Sequence, residues 1–136
     1  MDETIPVLIA DDHPLVRQGL RYVLAGTTGI PVVGEAINGQ QVIDWLPTTP
    51  VRVVLMDIRM PVLDGIQATL HIVQHFPQVK VLGLSLYDEP YYTADMLRAG
   101  ALGCIPKGVA SEVLFAAVRT VARGEPYRYL PEVSSF

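Results

Sequence analysis

The 136-residue sequence holds a single cysteine, Cys104, so no internal disulfide can form, and no Cys/His spacing suits zinc. That predicts a reducing, cytoplasmic setting. No apolar run approaches the ~18 residues that a membrane span needs, so no membrane partner is expected. The opening Met1-Asp2-Glu3 is acidic where a secretory signal would be basic. Charge is sparse as well. Only 18% of residues are charged, and ten Lys or Arg against fourteen Asp or Glu give a formal net charge of −4. Such a balance carries no general attraction to nucleic acid or anionic lipid. Internal repeats, low-complexity tracts and phosphate-cradling G-x-G-x-x-G or Walker loops are all missing, which counts against a flavin or nucleotide site. What is present is hydrophobic: half the residues, enough to exclude a disordered chain. The length predicts one domain with one sizeable core.

Short apolar runs alternate with helical patterns. Strands are predicted at Ile5–Ala10, Ile30–Ala36, Val51–Met56, Val79–Leu84 and Leu102–Ile105, the second less apolar and nearer an edge. Apolar residues at helical spacing follow each strand. Val16, Leu20, Val23 and Leu24 follow Pro14, which suits a first turn. Val42, Trp45 and Leu46 precede Pro47, and Ile66, Leu70 and Val73 give the third stripe. Pro90–Ala99 is a weaker helix with Tyr92, Met96 and Ala99 on its inner side and Tyr91 outside. Leu114, Ala117, Val118, Val121 and Ala122 form the fifth. Strands apolar on both faces, each followed by a helix, predict an α/β domain with a parallel sheet covered on either side. The stretch after Gly124, with Pro126 and Pro131, reads as a linker or an unstructured end.

In an open parallel sheet, ligands bind at the carboxyl ends of the strands. There the sequence places Asp11 and Asp12, then Asp57, Ser85 and Lys107, each group at its own strand end. Taken singly, each has an ordinary reading: a helix cap, a turn former, a loop hydroxyl, a solvated charge. Asp64 before Gly65 and Asp88 before Pro90 are read that way. Jointly, the set is hard to explain so. If the first and third strands are neighbours, three carboxylates converge and need a counter-charge. Oxygen-only donors suit a hard cation, Mg²⁺ above all. A cation there would shield an incoming phosphoryl group, an Asp could take it as an acyl phosphate, and Lys107 and Ser85 could hold its oxygens. His13 is a candidate for tuning, while His71 and His75 read as the surface of the third helix.

The stretches LIADDHPLVRQGL, VVLMDIRMPVLDGI, VLGLSLYDEPYY and AGALGCIPKG resemble, in order and spacing, the receiver domain of bacterial two-component response regulators. The segment with Asp57, Met60, Pro61, Asp64 and Gly65 is the most specific, and details such as ADDHPLVRQGL point to the NarL/LuxR class. The resemblance covers about residues 5–124. It implies a flavodoxin-like (βα)5 three-layer sandwich with strand order 2-1-3-4-5, a receiver domain at 1–124, and a tail at 125–136 that starts a linker to an output domain. It implies Asp57 as phosphoacceptor, and Mg²⁺ held by Asp12, Asp57 and the backbone carbonyl of Arg59, with Asp11 acting through water. Ser85 and Lys107 would contact the phosphoryl group. A sensor histidine kinase would be the donor. Phosphorylation would favour a homodimer or free the output domain, and DNA would be bound only through that helix-turn-helix domain.

Two departures bear on mechanism. Cys104 stands where the family usually has an aromatic switch residue, so either coupling from Ser85 uses other packing or it is weaker; the plain reading is that Cys104 fills a buried site on a short strand. Gly108 follows Lys107 where other receivers have proline, so no cis bond is expected there. Arg59 and Tyr87 flank the site and are read as shields of the phosphoryl group from water. The rival readings are a haloacid dehalogenase-like phosphatase, which would need a D-x-D after the first strand, and a phosphorylation-independent pseudo-receiver.

Overall fold

The computed structural model describes residues 3–86 and 90–130, so Tyr87, Asp88 and the last six residues lie outside the description. Five strands and five helices alternate: β1 Val7–Ala10, α1 Pro14–Leu24, β2 Val32–Ala36, α2 Gly39–Trp45, β3 Val53–Asp57, α3 Gly65–His75, β4 Lys80–Ser85, α4 Pro90–Ala99, β5 Gly103–Pro106 and α5 Ser111–Ala122. The sheet is parallel throughout, in the order β2-β1-β3-β4-β5. This is the flavodoxin-like arrangement that the resemblance implies, with the less apolar second strand at an edge.

Side chains alternate across the sheet and build two cores. Leu8, Ala10, Val54, Met56 and Val81 face α2, α3 and α4, joined by Val42, Ile72 and Met96. Val7, Ile9, Val53, Leu55, Leu82, Leu84 and Ile105 face α1 and α5, joined by Leu24, Leu114, Val118 and Val121. Helix starts follow local chemistry. Pro14 occupies the first turn of α1. Asn38 and Asp64 cap α2 and α3 by accepting hydrogen bonds from the backbone N–H groups of Gln41 (2.8 Å) and Gln67 (2.9 Å). Asp64 is thus the capping residue that its place before Gly65 predicts.

Helix α3 departs from its predicted stripe. Leu70 and Val73 are about half exposed, and Gly65, Ala68, Thr69 and Ile72 face inward instead. The reason is distance. The start of α3 lies so close to β3 that a Cβ on Gly65 would stand 2.1 Å from the Asp57 carbonyl oxygen. Small residues, Gly65, Ala68 and Thr69, therefore line the start of that face, and Ile72 fills the space further along. The buried Thr69 hydroxyl donates back to the Gly65 carbonyl at 2.7 Å.

Between β3 and α3 the chain makes a tight turn, with the Leu63 N–H donating to the Pro61 carbonyl at 2.8 Å. Its central residue, Val62, has φ of 70° and is 81% exposed, a strained conformation for a β-branched residue with no packing in return. Val62→Asn is expected to stabilise the fold by about 0.5–1 kcal/mol. An unchanged or lower urea midpoint would contradict this. Past α5 the chain has no regular element up to Leu130. Tyr127 nonetheless donates its backbone N–H to Leu102 (2.8 Å), and Tyr127 and Tyr129 pack on the second core.

Candidate functional site

Register brings the predicted residues together. Ala10 pairs with Met56, Asp57 with Leu84, and Ser85 with Pro106. One further step sets Asp11 beside Asp57 and brings Lys107 in from the end of β5. Asp11 is fully buried, and the Asp57 and Lys107 side chains are each 7% exposed. Lys107 Nζ lies 2.7 Å from Asp11 Oδ2 and 3.2 Å from Asp57 Oδ1. Its backbone N–H donates to the Ser85 carbonyl at 2.6 Å, which ties the β5 end to the β4 end. Ser85, itself buried, lines with Asp57, Lys107, His13 and Arg59 a cavity of about 200 Å³. A neighbouring cavity of about 370 Å³ has Asp12, Met60, Asp64 and Tyr92 in its wall and shares Arg59 and Ile58 with the first. A larger surface cleft, about 470 Å³, lies near Thr4, Gly29 and Pro31 and is lined by no carboxylate.

The electrostatics follow from this crowding. Burial, and after it the charge of Asp11, push the Asp57 carboxyl up to about 6, against the pull of Lys107. Burial alone would lower the Lys107 ammonium, but Asp11 and Asp57 outweigh it and hold the group above its ordinary value. The lysine's ion pairs therefore stabilise the fold throughout the neutral range and are lost only above the usual lysine pKa. Three carboxylate oxygens, Asp11 Oδ2, Asp12 Oδ1 and Asp57 Oδ2, are buried without a hydrogen bond, and only the first faces the Lys107 ammonium. Orphaned buried oxygens are costly and mark a place for a cation.

Ligand atoms of Asp11, Asp12, His13 and Asp57 all fall within 4.8 Å of one another. Three carboxylates outnumber the one lysine. The donor set is oxygen-rich, and its buried Asp12 Oδ1 and Asp57 Oδ2 accept no hydrogen bond, so these residues fit a hard divalent ion such as Mg²⁺. Sequence reasoning underrated His13. Its backbone N–H donates to Asp11 Oδ1 at 2.9 Å, and its ring Nδ1 stands 2.9 Å from the same oxygen. Arg17 was missed altogether. It donates from Nη1 to the Asp11 carbonyl (2.8 Å) and from Nε to Glu35 (2.8 Å), which fastens α1 to the end of β1. Glu35 also pairs with Arg21, whose hydrogen bond holds the Glu35 carboxyl below its ordinary value. The only available signal was the i, i+4 spacing of His13 and Arg17 at a helix start.

Two expectations meet the structure differently. Tyr92 is not a core residue: it is 37% exposed, and the Arg59 guanidinium lies 5.2 Å from its ring centroid. The inner side of α4 is filled by Met96 and Ala99, one and two turns further on, which leaves the first-turn ring at the cavity rim. Tyr91 is exposed, as predicted. Cys104 pairs with Gly83, where an added Cβ would stand 3.0 Å from the Cys104 Sγ and 3.1 Å from the Met96 Cε. It packs at the edge of the first core and lines neither cavity of the site. No cis peptide bond occurs among the described residues.

A five-stranded parallel sheet in 2-1-3-4-5 order, with acids and a lysine gathered at its carboxyl edge, is the architecture of a receiver. The family model of the response regulator receiver domain matches residues 7–119, and the chain belongs to that family, whose members serve two-component signalling. Response regulator UvrY of Escherichia coli K12 is 42% identical over 123 residues, which is 90% of this chain and 56% of UvrY. The chain thus spans little more than half the length of that relative. Among solved structures, the signal receiver domain of NarL from Mycobacterium tuberculosis superposes with a TM-score of 0.84 at 32% identity, over 90% of this chain and 99% of that one. The receiver domain of RcsB from Salmonella enterica serovar Typhimurium, solved with the phosphomimetic BeF3−, gives 0.83 at 29% identity over 93% and 94%.

Proposed function

We propose that Asp57 accepts a phosphoryl group from the phosphohistidine of a sensor histidine kinase. The observation that carries this reading is the buried, unpartnered Asp57 Oδ2 beside Asp12 and Lys107. An Asp57 carboxylate oxygen attacks phosphorus while the P–N bond of the donor breaks. The electron pair stays on the imidazole nitrogen. When bound, Mg²⁺ supplies charge neutralisation for the phosphoryl oxygens. Asp12, Asp57 and the backbone carbonyl of Arg59 would hold it, with Asp11 acting through water. Lys107 Nζ, already on the Asp57 side of the cavity, neutralises one phosphoryl oxygen as a point charge. The Ser85 hydroxyl donates to another. Its movement would begin the switch, with Cys104 too small to follow as an aromatic ring would. His13 and Arg17 keep the Asp11 end of β1 in place.

The family is not one of ordinary enzymes, and the chemistry here would be the domain's own uptake and loss of phosphate. Residues 1–124 would form the receiver, and 125–136 would start the linker to a DNA-binding output domain. In this reading the protein is cytoplasmic and regulates transcription, and the modified form favours a homodimer. The test is direct. The purified chain, given acetyl phosphate and Mg²⁺, should gain the mass of one phosphoryl group, and excess chelator should prevent it. A chain that stays unlabelled under conditions that label a working receiver would favour a phosphorylation-independent interaction module instead.

A further inference from the structure

Arg59 is a rim cation whose charge is unspent. Among the described residues it makes no hydrogen bond and no ion pair, although Asp12 and Asp64 line the same cavity. Its guanidinium rests instead over the Tyr92 ring, in the first turn of α4. Arg59 also lines the cavity that holds Asp57, Ser85 and Lys107, so it stands at the boundary between the two spaces. An exposed cation–π contact is weak, whereas a phosphoryl group brings about −1.5 to −2 charges and oxygens that a guanidinium grips bidentately. Two positions of unequal strength are thus open to one side chain.

We propose that Arg59 is a latch: parked on Tyr92 in the unmodified domain, and drawn onto the phosphoryl group once Asp57 carries one, which releases the first turn of α4. Tyr92 is a positioning residue that acts through Arg59. The inference rests on Asp57 being the acceptor. It also gives the domain a route from the site to α4 that does not pass through residue 104, where Cys104 offers no ring to swing. The coupling is reciprocal. Whatever holds Arg59 on Tyr92 must weaken binding at Asp57, and whatever binds at Asp57 must loosen Tyr92.

The test uses beryllofluoride with Mg²⁺ as the phosphoryl mimic, on the whole chain, with affinity and amide exchange as readouts. Tyr92→Leu removes the ring and frees Arg59, so the mimic should bind about two- to fivefold more tightly than to wild type. Tyr92→Phe keeps the ring and should restore wild-type affinity. Arg59→Ala loses the phosphoryl contact and should bind about tenfold more weakly. In wild type, the mimic should speed amide exchange in the first turn of α4. In Arg59→Ala that turn should exchange quickly from the start and not respond. Equal affinities across the variants, or an α4 turn that ignores the mimic in wild type, would overturn the latch alone. Wild-type protein that binds no mimic would overturn the phosphoacceptor reading, and the latch with it.

Discussion

Asp57→Asn is expected to make the metal-free domain more stable while it abolishes phosphoryl uptake. The carboxyl of Asp57 titrates near 6 in the fold, against 3.8 for the free side chain, because burial and the Asp11 charge oppose its ionisation. A raised carboxyl means that the folded state binds the proton more tightly than the unfolded one. Below pH 3.8 both states are protonated and nothing is lost. As pH rises the unfolded chain ionises first, and the cost to the fold grows until the folded group has also ionised, somewhat above pH 6. The full gap corresponds to about 3 kcal/mol. Asparagine keeps the shape and drops the charge. It should therefore raise stability by about 1–3 kcal/mol at pH 7.5, with about half that gain at pH 5. Urea unfolding at the two pH values, in chelator, measures this. Mg²⁺ should stabilise the wild type and so narrow the difference. A destabilised Asp57→Asn at pH 7.5 would show that the site is not under the strain described.

Gly65→Ala should produce the largest loss. The added methyl would meet the Asp57 carbonyl oxygen at 2.1 Å, the Asp57 carbonyl carbon at 3.0 Å and Met56 Cγ at 3.0 Å. Two of the three neighbours are backbone and cannot rotate away. Gly65 also donates its N–H to the Ile58 carbonyl at 2.8 Å, which pins it to the loop behind β3. Either α3 lifts off the sheet or the end of β3 shifts, and the second would move Asp57 from Lys107. A loss of about 3 kcal/mol or more is expected, with a fall in melting temperature of roughly 10 °C and slowed uptake of phosphate. Gly19→Ala is the matching control. Its new methyl meets nothing within 4 Å, and Gly19 sits inside α1, so the change should stabilise by about 0.5–1 kcal/mol. A Gly65→Ala chain that melts with wild type would refute the close packing of α3 on β3.

Much of this site was legible before any coordinates. Asp11, Asp12, Asp57, Ser85 and Lys107 each stand at the end of a buried apolar run, and a parallel sheet collects such ends along one edge. Strand order was not legible from periodicity; it came from the resemblance, and the pairing of Ala10 with Met56 bears it out. The inward face of α3 was misread because size, not hydrophobicity, decides it. Gly65, Ala68 and Thr69 are selected by the closeness of β3, while Leu70 and Val73 mark only where apolar surface is tolerated. Tyr92 was misplaced for a related reason. Helical spacing put it with Met96 and Ala99, but its neighbour across the rim is Arg59, thirty-three positions earlier, and no local pattern announces a contact of that span. The hold of Arg17 on the Asp11 carbonyl was hidden likewise, since a backbone acceptor leaves no mark in the side-chain pattern.

The most direct measurement fixes the position of the phosphoryl group. The chain is labelled with acetyl phosphate and Mg²⁺, the acyl phosphate is reduced with borohydride, and the modified residue is located by peptide mass spectrometry. The account predicts a single modified position, Asp57, with none in chelator and none in Asp57→Asn. Modification at Asp11, Asp12 or a histidine, or labelling of Asp57 that proceeds as well without a divalent ion, would contradict it.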